Sequence, residues 1–243
     1  MSIRFENVKK SFGPKLILDQ ISFDVLPGEI LFILGRSGVG KSVTLKQIVG
    51  LIKPDSGKIF VDGQEITTLT PDKLTLTRKK CGMVFQHPAL LDSLTIYENV
   101  AFALKDYAED KARKKVIEKL ALVHLTPEIL GDRPPEISYG MQKRVSLARA
   151  LAPEPSYLLF DEPTTGLDPI TTNAVTDLIR DLSKKLNVTS IVVSHDMGSA
   201  LRIADRILVL DRAQILEHGT VEQIKNSPHS LVQEFLEEAL AVV

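Results

Sequence analysis

Gly35, Gly40, Lys41 and Ser42 stand at the spacing G-x-x-x-x-G-K-[ST], a set of residue types suited to capturing a polyphosphate. Positions without a Cβ let the backbone N–H groups of Gly35-Arg36-Ser37-Gly38-Val39-Gly40 turn inward around an anion, and a helix start adds its own free donors. Lys41 then reaches the β- and γ-phosphates, and the Ser42 hydroxyl is placed to ligate Mg²⁺. A glycine-rich turn can match this pattern by accident, but the flanks argue against that: residues 30–34 read as a buried strand, and Val43 opens a helix-like run. A second chemical position is the acidic pair Asp161-Glu162, which ends the apolar run Leu158-Leu159-Phe160. Beside a phosphate loop, Asp161 would hold the hydration shell of Mg²⁺ and Glu162 would act as general base for a water facing the terminal phosphate. Without that loop, two carboxylates capping a strand at a solvated turn would be the simpler reading.

Strands and helices must position these groups. Ile21, Phe23 and Val25 alternate with Ser22 and Asp24, and Ile59 and Val61 flank Phe60 between Gly57 and Gly63, as in half-buried antiparallel strands. Residues 44–50 read as a helix stopped by Pro54-Asp55-Ser56-Gly57. From Pro88 the pattern predicts helices over 95–107 and 110–125, the second with Val116, Leu120 and Val123 on one side, and a third over 138–152. Lys111, Arg113, Lys114, Lys115 and Lys119 on the second helix read as a solvated face, because Glu109, Asp110 and Glu118 dilute their charge. Past Pro155, residues 157–160, 190–193 and 207–210 are short apolar runs of the kind buried on both faces of a parallel sheet. Between them, 169–186 has helical spacing, with Asp168 as cap and Pro169 in the first turn. Leu231, Phe235, Leu236 and Leu240 form a carboxyl-terminal apolar stripe, open to packing on its own core, on a second subunit or on a regulatory partner.

The chain has 243 residues, 44% of them hydrophobic, enough for one sizeable α/β unit with an insertion but cramped for two domains. A formal net charge of −1 with dispersed basic residues gives no sign of a nucleic-acid-binding surface. The single Cys81 cannot form an intrachain disulfide, which fits a reducing compartment. The start Met1-Ser2-Ile3-Arg4-Phe5-Glu6 is unlike a signal peptide, and no apolar run approaches the roughly 18 residues that span a bilayer. At a membrane, another chain would have to hold this one.

Six motifs, in order, carry a resemblance to the nucleotide-binding subunits of ABC transporters. They are Gly35 to Ser42, Gln86 after Met83-Val84-Phe85, Ser138-Tyr139-Gly140-Met141-Gln142-Lys143-Arg144, Asp161-Glu162-Pro163, Gly166-Leu167-Asp168 and Ser194-His195-Asp196. The resemblance spans about residues 3–219 and implies a P-loop NTPase (RecA-like) α/β core with an N-terminal antiparallel β subdomain and an inserted α-helical subdomain. The expected limits are 1–87 and 156–220 for the core, 88–155 for the helical subdomain and 221–243 for a helical tail. It implies ATP and Mg²⁺ as cofactors, with Phe12 stacking on adenine and residues 35–43 around the phosphates, Val43 included. It further implies Gln86 at Mg²⁺ or the attacking water, His195 at the γ-phosphate, and Asp168 crossing to an opposing subunit. Ser138 and Gly140 would contact the γ-phosphate held by a second copy, so that ATP glues a head-to-tail homodimer. The usual Leu-Ser-Gly-Gly-Gln is altered here to Ile137-Ser138-Tyr139-Gly140-Met141, and the bulk of Tyr139 where glycine permits close approach leaves weak or partner-dependent turnover open.

Within the family, residues 35–43, 89–95, 98–102, 140–141, 168–171 and 230–236 look like the ATPase of Mla/MCE-type phospholipid transporters. That resemblance implies membrane permeases, an MCE-domain substrate-binding protein and a small regulatory subunit as partners, on the cytoplasmic face of the inner membrane. Residues 87–107 would receive a permease coupling helix. The alternatives are the ATPase of a cell-division or lipoprotein-release complex, a small-solute importer, or a soluble ABC ATPase of DNA repair or translation. The last lacks support from any coiled-coil insert, zinc-type cysteine pair or tandem cassette.

Overall fold

The computed structural model describes residues 2–241; Met1, Val242 and Val243, which close the expected domain limits, lie outside the described residues. The chain opens with β1 (Ile3–Phe12), β2 (Lys15–Val25), β3 (Ile30–Leu34), α1 (Lys41–Ile48), β4 (Ser56–Val61), β5 (Gln64–Glu65), α2 (Pro71–Lys79) and β6 (Cys81–Val84). An insert follows, with α3 (Ile96–Ala101), α4 (Glu109–Leu122) and α5 (Tyr139–Leu151). It leads to β7 (Tyr157–Asp161), α6 (Pro169–Leu186), β8 (Thr189–Ser194), α7 (Met197–Ile203), β9 (Arg206–Asp211), β10 (Gln214–Thr220), α8 (Val221–Lys225) and α9 (Ser230–Ala241).

Half-buried alternation produces an antiparallel sheet in the order β2-β1-β4-β5. The apolar runs instead build a second sheet, β10-β9-β3-β8-β7-β6, parallel except for β10. Each central strand of it serves two cores. Ile30, Phe32 and Leu34 of β3, with Leu158 and Phe160 of β7, face the insert and α6, whereas Leu31, Ile33, Tyr157 and Leu159 face the antiparallel sheet and α1. Burial on both faces is why these strands read as continuous apolar runs. Their register sets Leu34 beside Ser194, Val193 beside Asp161, and Phe160 beside Val84. One edge of the sheet therefore carries the carboxyl ends of the five parallel strands, the usual place for a ligand in an open α/β sheet.

In the insert the structure departs from expectation. The helix expected over 95–107 ends at Ala101, because the chain must turn to bury Leu104, whose N–H donates to the Ala101 carbonyl at 2.7 Å. A capping box between Thr95 and Glu98 fixes its start. The helix expected over 110–125 runs from Glu109 to Leu122, where Val123 takes up the C-cap. Its basic face is not wholly solvated: Lys119 is buried and its Nζ reaches Glu118 at 2.8 Å and Glu154 at 3.2 Å. The carboxyl-terminal stripe folds onto its own core through Val232, Phe235 and Leu236, while Leu240 stays exposed.

Candidate active site

The loop between β3 and α1 passes so close to β9 that its first glycine has no room for a side chain. A Cβ on Gly35, whose φ is +155°, would stand 2.5 Å from the Leu210 carbonyl oxygen and 2.8 Å from Val39 Cγ2. Gly40, with φ +116°, caps α1 from a left-handed conformation and is hemmed in by Leu18 and Ile17. Gly35→Ala is expected to cost roughly 1–3 kcal/mol from overpacking, plus backbone strain of the same order. Thermal unfolding should show a midpoint several degrees lower, and an unchanged midpoint would remove the close-approach argument.

Lys41 is buried, with Nζ donating to the Gly35 carbonyl at 2.7 Å and the Arg36 carbonyl at 3.2 Å. The same ammonium lies 3.2 Å from Glu162 Oε1, and Glu162 Oε2 lies 2.8 Å from His195 Nδ1. Glu162 adopts a left-handed backbone, φ +49°, and its N–H donates to the Val193 carbonyl at 2.9 Å. A non-glycine residue held this way stores strain, and such strain gathers where a side chain must be aimed. Ser42 Oγ donates to Asp161 Oδ1 at 2.6 Å. Thus the loop, the β7 end and the β8 end converge on a cleft of about 520 Å³, whose walls include Gly38, Gln86, Glu162 and His195.

The residues present fit a hard cation. Ser42 and Asp161 offer oxygen donors in direct contact, and Asp161 is buried, so its charge calls for a partner. Among the described residues no group of three or more acidic, His or Cys side chains could enclose a metal. A Mg²⁺ here would complete its shell with water and phosphate oxygens, as that ion prefers.

Arg36, Ser37, Gly38, Gly40, Lys41, Ser42 and Val43, but not Gly35 or Val39, line the cleft. Phe12 does not: it is about half exposed, lies outside those walls, and has Lys10 Nζ 5.2 Å from its ring centroid, whereas Ile17 contributes to the wall. Ser138, Tyr139, Gly140 and Met141 sit apart at the start of α5, where Ser138 Oγ accepts from the Met141 N–H at 3.3 Å. Tyr139 lies against its own subunit, its hydroxyl 3.4 Å from His87 Nδ1 and its ring 5.5 Å from Lys143 Nζ. Asp168 caps α6, accepting from the N–H groups of Ile170 and Thr171 at 3.0 Å each, and the Thr171 hydroxyl with those backbone donors holds its carboxyl below the usual range.

Sequence reasoning missed three features. Thr165 joins the cleft wall. The tail helix α9 brings Glu234, Phe235 and Glu238 to the cleft mouth, where Arg36 Nη2 donates to both Glu234 oxygens at 2.7 Å. Lys143, on α5, is buried and binds loop carbonyls instead of solvent. The tail's apolar stripe hinted at the second; no local signal marks Lys143, since a lysine at helical spacing ordinarily faces water.

Residues 18–165, more than half the chain, match the family model described as ABC transporter. The chain belongs to this ABC transporter family. The methionine import ATP-binding protein MetN of Brucella abortus (strain 2308) is 41% identical over 240 residues, covering 98% of this chain but 65% of that protein. MetN of Mannheimia succiniciproducens is 40% identical over 241 residues, covering 96% of this chain and 70% of its own length. The dimeric ATP-binding cassette MJ0796, solved in a post-hydrolysis state with ADP and Pi, superposes with a TM-score of 0.82 at 33% identity over 90% of this chain and 98% of that one. Clostridium perfringens cbiO1, part of the transporter complex cbiONQ, gives 0.86 at 28% identity over 96% of this chain and 94% of its own. The chain therefore carries the ABC ATPase fold, and it spans just under two thirds of the length of the Brucella relative. None of its described helices is long and apolar enough to cross a membrane.

Proposed function

We propose that the chain is the ATP-hydrolysing subunit of a membrane transporter, closing as a head-to-tail homodimer around two Mg-ATP and driving permease subunits from the cytoplasmic face of the inner membrane. The supporting observation is the chain of contacts Lys41–Glu162–His195 beside the contact Ser42–Asp161, all at one sheet edge. In this reading Lys41 moves from the Gly35 carbonyl and Glu162 onto the β- and γ-phosphates, freeing Glu162 to accept a proton from water. Ser42 and Asp161, with Gln86 in the cleft wall, would hold a Mg²⁺, which would supply charge neutralisation at the phosphate oxygens. His195 holds the carboxylate through Nδ1 and, being largely exposed, has its other ring face free for the γ-phosphate. The helical unit 88–155 swings against the core 1–87 and 156–220, with 221–243 as tail. That motion brings Ser138 and Gly140 to the partner's nucleotide and Asp168 across the interface. The ring position of Tyr139 supports tolerance of the altered signature, because it lies back on its own subunit and leaves the α5 start open.

For the cargo, the relatives named for methionine import support a small-solute importer and do not support an MCE-domain partner. A second reading, phospholipid transport, keeps residue-level support from Met141 at the end of the signature and from the loop and tail stretches that resemble Mla/MCE-type ATPases. Pull-down of the tagged chain from detergent-solubilised membranes separates them. Small-solute import expects a permease with a solute-binding protein; phospholipid transport expects a permease with an MCE-domain protein. Recovery of a division-type permease, or of no membrane protein, would defeat both.

A further inference from the structure

Lys143 lies five residues beyond Ser138 on α5, buried at 4% exposure. Its Nζ donates to the carbonyls of Gln86 at 2.7 Å, Pro163 at 3.0 Å and Thr165 at 3.4 Å. No carboxylate pairs with it among the described residues, and burial pushes its ammonium below the usual lysine range. An apolar side chain would fill this space without a desolvation cost. What the ammonium adds is direction, because its three N–H bonds each fix one carbonyl. Those carbonyls belong to the loop that carries Gln86 into the cleft and to the turn directly after Glu162. One side chain thus ties the helix that starts at Ser138 to the two loops that aim Gln86 and Glu162.

We propose that Lys143 is a positioning residue that couples the two nucleotide sites of the dimer, so that engagement of the partner's γ-phosphate at Ser138 sets Gln86 and Glu162 for hydrolysis within the same subunit. The inference rests on the head-to-tail reading above. A bare helix contact could transmit displacement too, but only a hydrogen-bonded tie moves both loops by a set amount when α5 shifts.

The test combines Lys143→Met, which keeps length and removes every donor, with Lys143→Gln, which restores a neutral donor. Lys143→Met should lower kcat for ATP at least tenfold, with nucleotide Kd within twofold of the parent and the thermal midpoint retained. Lys143→Gln should recover part of that loss. A kcat within twofold of the parent, or equal loss of Kd and kcat in both variants, overturns the coupling role. ATP-dependent dimerisation by light scattering in a Glu162→Gln background distinguishes the two levels. If Glu162→Gln alone forms no ATP-dependent dimer, the head-to-tail reading falls and the proposal with it. If it dimerises, Lys143→Met should weaken that dimer; an equally tight dimer, with kcat unchanged in the single variant, overturns the role of Lys143 alone.

Discussion

Glu162→Gln is expected to lower steady-state ATP hydrolysis by roughly two to four orders of magnitude while leaving Mg-ATP binding in place. Gln has nearly the same shape, and its amide can still meet His195 and Lys41, which lie 2.8 and 3.2 Å from the two carboxylate oxygens. What it loses is the capacity to take up a proton from water. The side chain is only 12% exposed and its backbone is fixed to Val193, so the glutamine should occupy the place of the carboxylate. With cleavage blocked and binding intact, ATP should accumulate a dimer on size exclusion. Phosphate release within a few-fold of the parent rate would show that some other group removes the proton.

Lys41→Met should act on affinity instead. Methionine fills the buried channel of the lysine stem but brings no charge to the phosphates, and truncating one partner of a buried charge pair typically costs 2–5 kcal/mol. That corresponds to a loss of about thirty- to several-thousand-fold in ATP affinity, readable by calorimetry with Mg-ATP. The fold should persist, since Glu162 keeps His195, and Arg36, whose carbonyl also loses the ammonium, lines an accessible cleft. Affinity within threefold of the parent would mean that backbone donors alone hold the nucleotide.

Most of the architecture was legible because its signals are local. Asp168 before Pro169 marks α6 at its true start, and the run ending in Asp161-Glu162 is the strand that delivers both carboxylates. The readings that failed depend on distant partners. Continuous helix-forming residues past Ala101 could not show that Leu104 is needed in the core, and Lys119 looks solvent-facing until Glu154, from the other end of the insert, is placed beside it. Lys143 is the same case with larger consequences: its partners are carbonyls, which no side-chain pattern reveals. The separation of Ser138 from Glu162 is legible only as a resemblance, because spacing along one chain cannot say that two copies must meet.

The seat of α9 links the chain's far end to nucleotide occupancy. Val232, Phe235 and Leu236 anchor that helix, and its Glu234 and Glu238 overhang the pocket that must receive several negative charges. Repulsion between those carboxylates and an incoming triphosphate is a free energy shared by both, so it works in both directions. A displacement of the helix would therefore tighten the grip on nucleotide, and nucleotide would loosen the helix by the same factor. The Arg36–Glu234 contact is well exposed on both sides and adds only a modest, salt-screened share to that anchoring, most of which comes from the three buried apolar side chains.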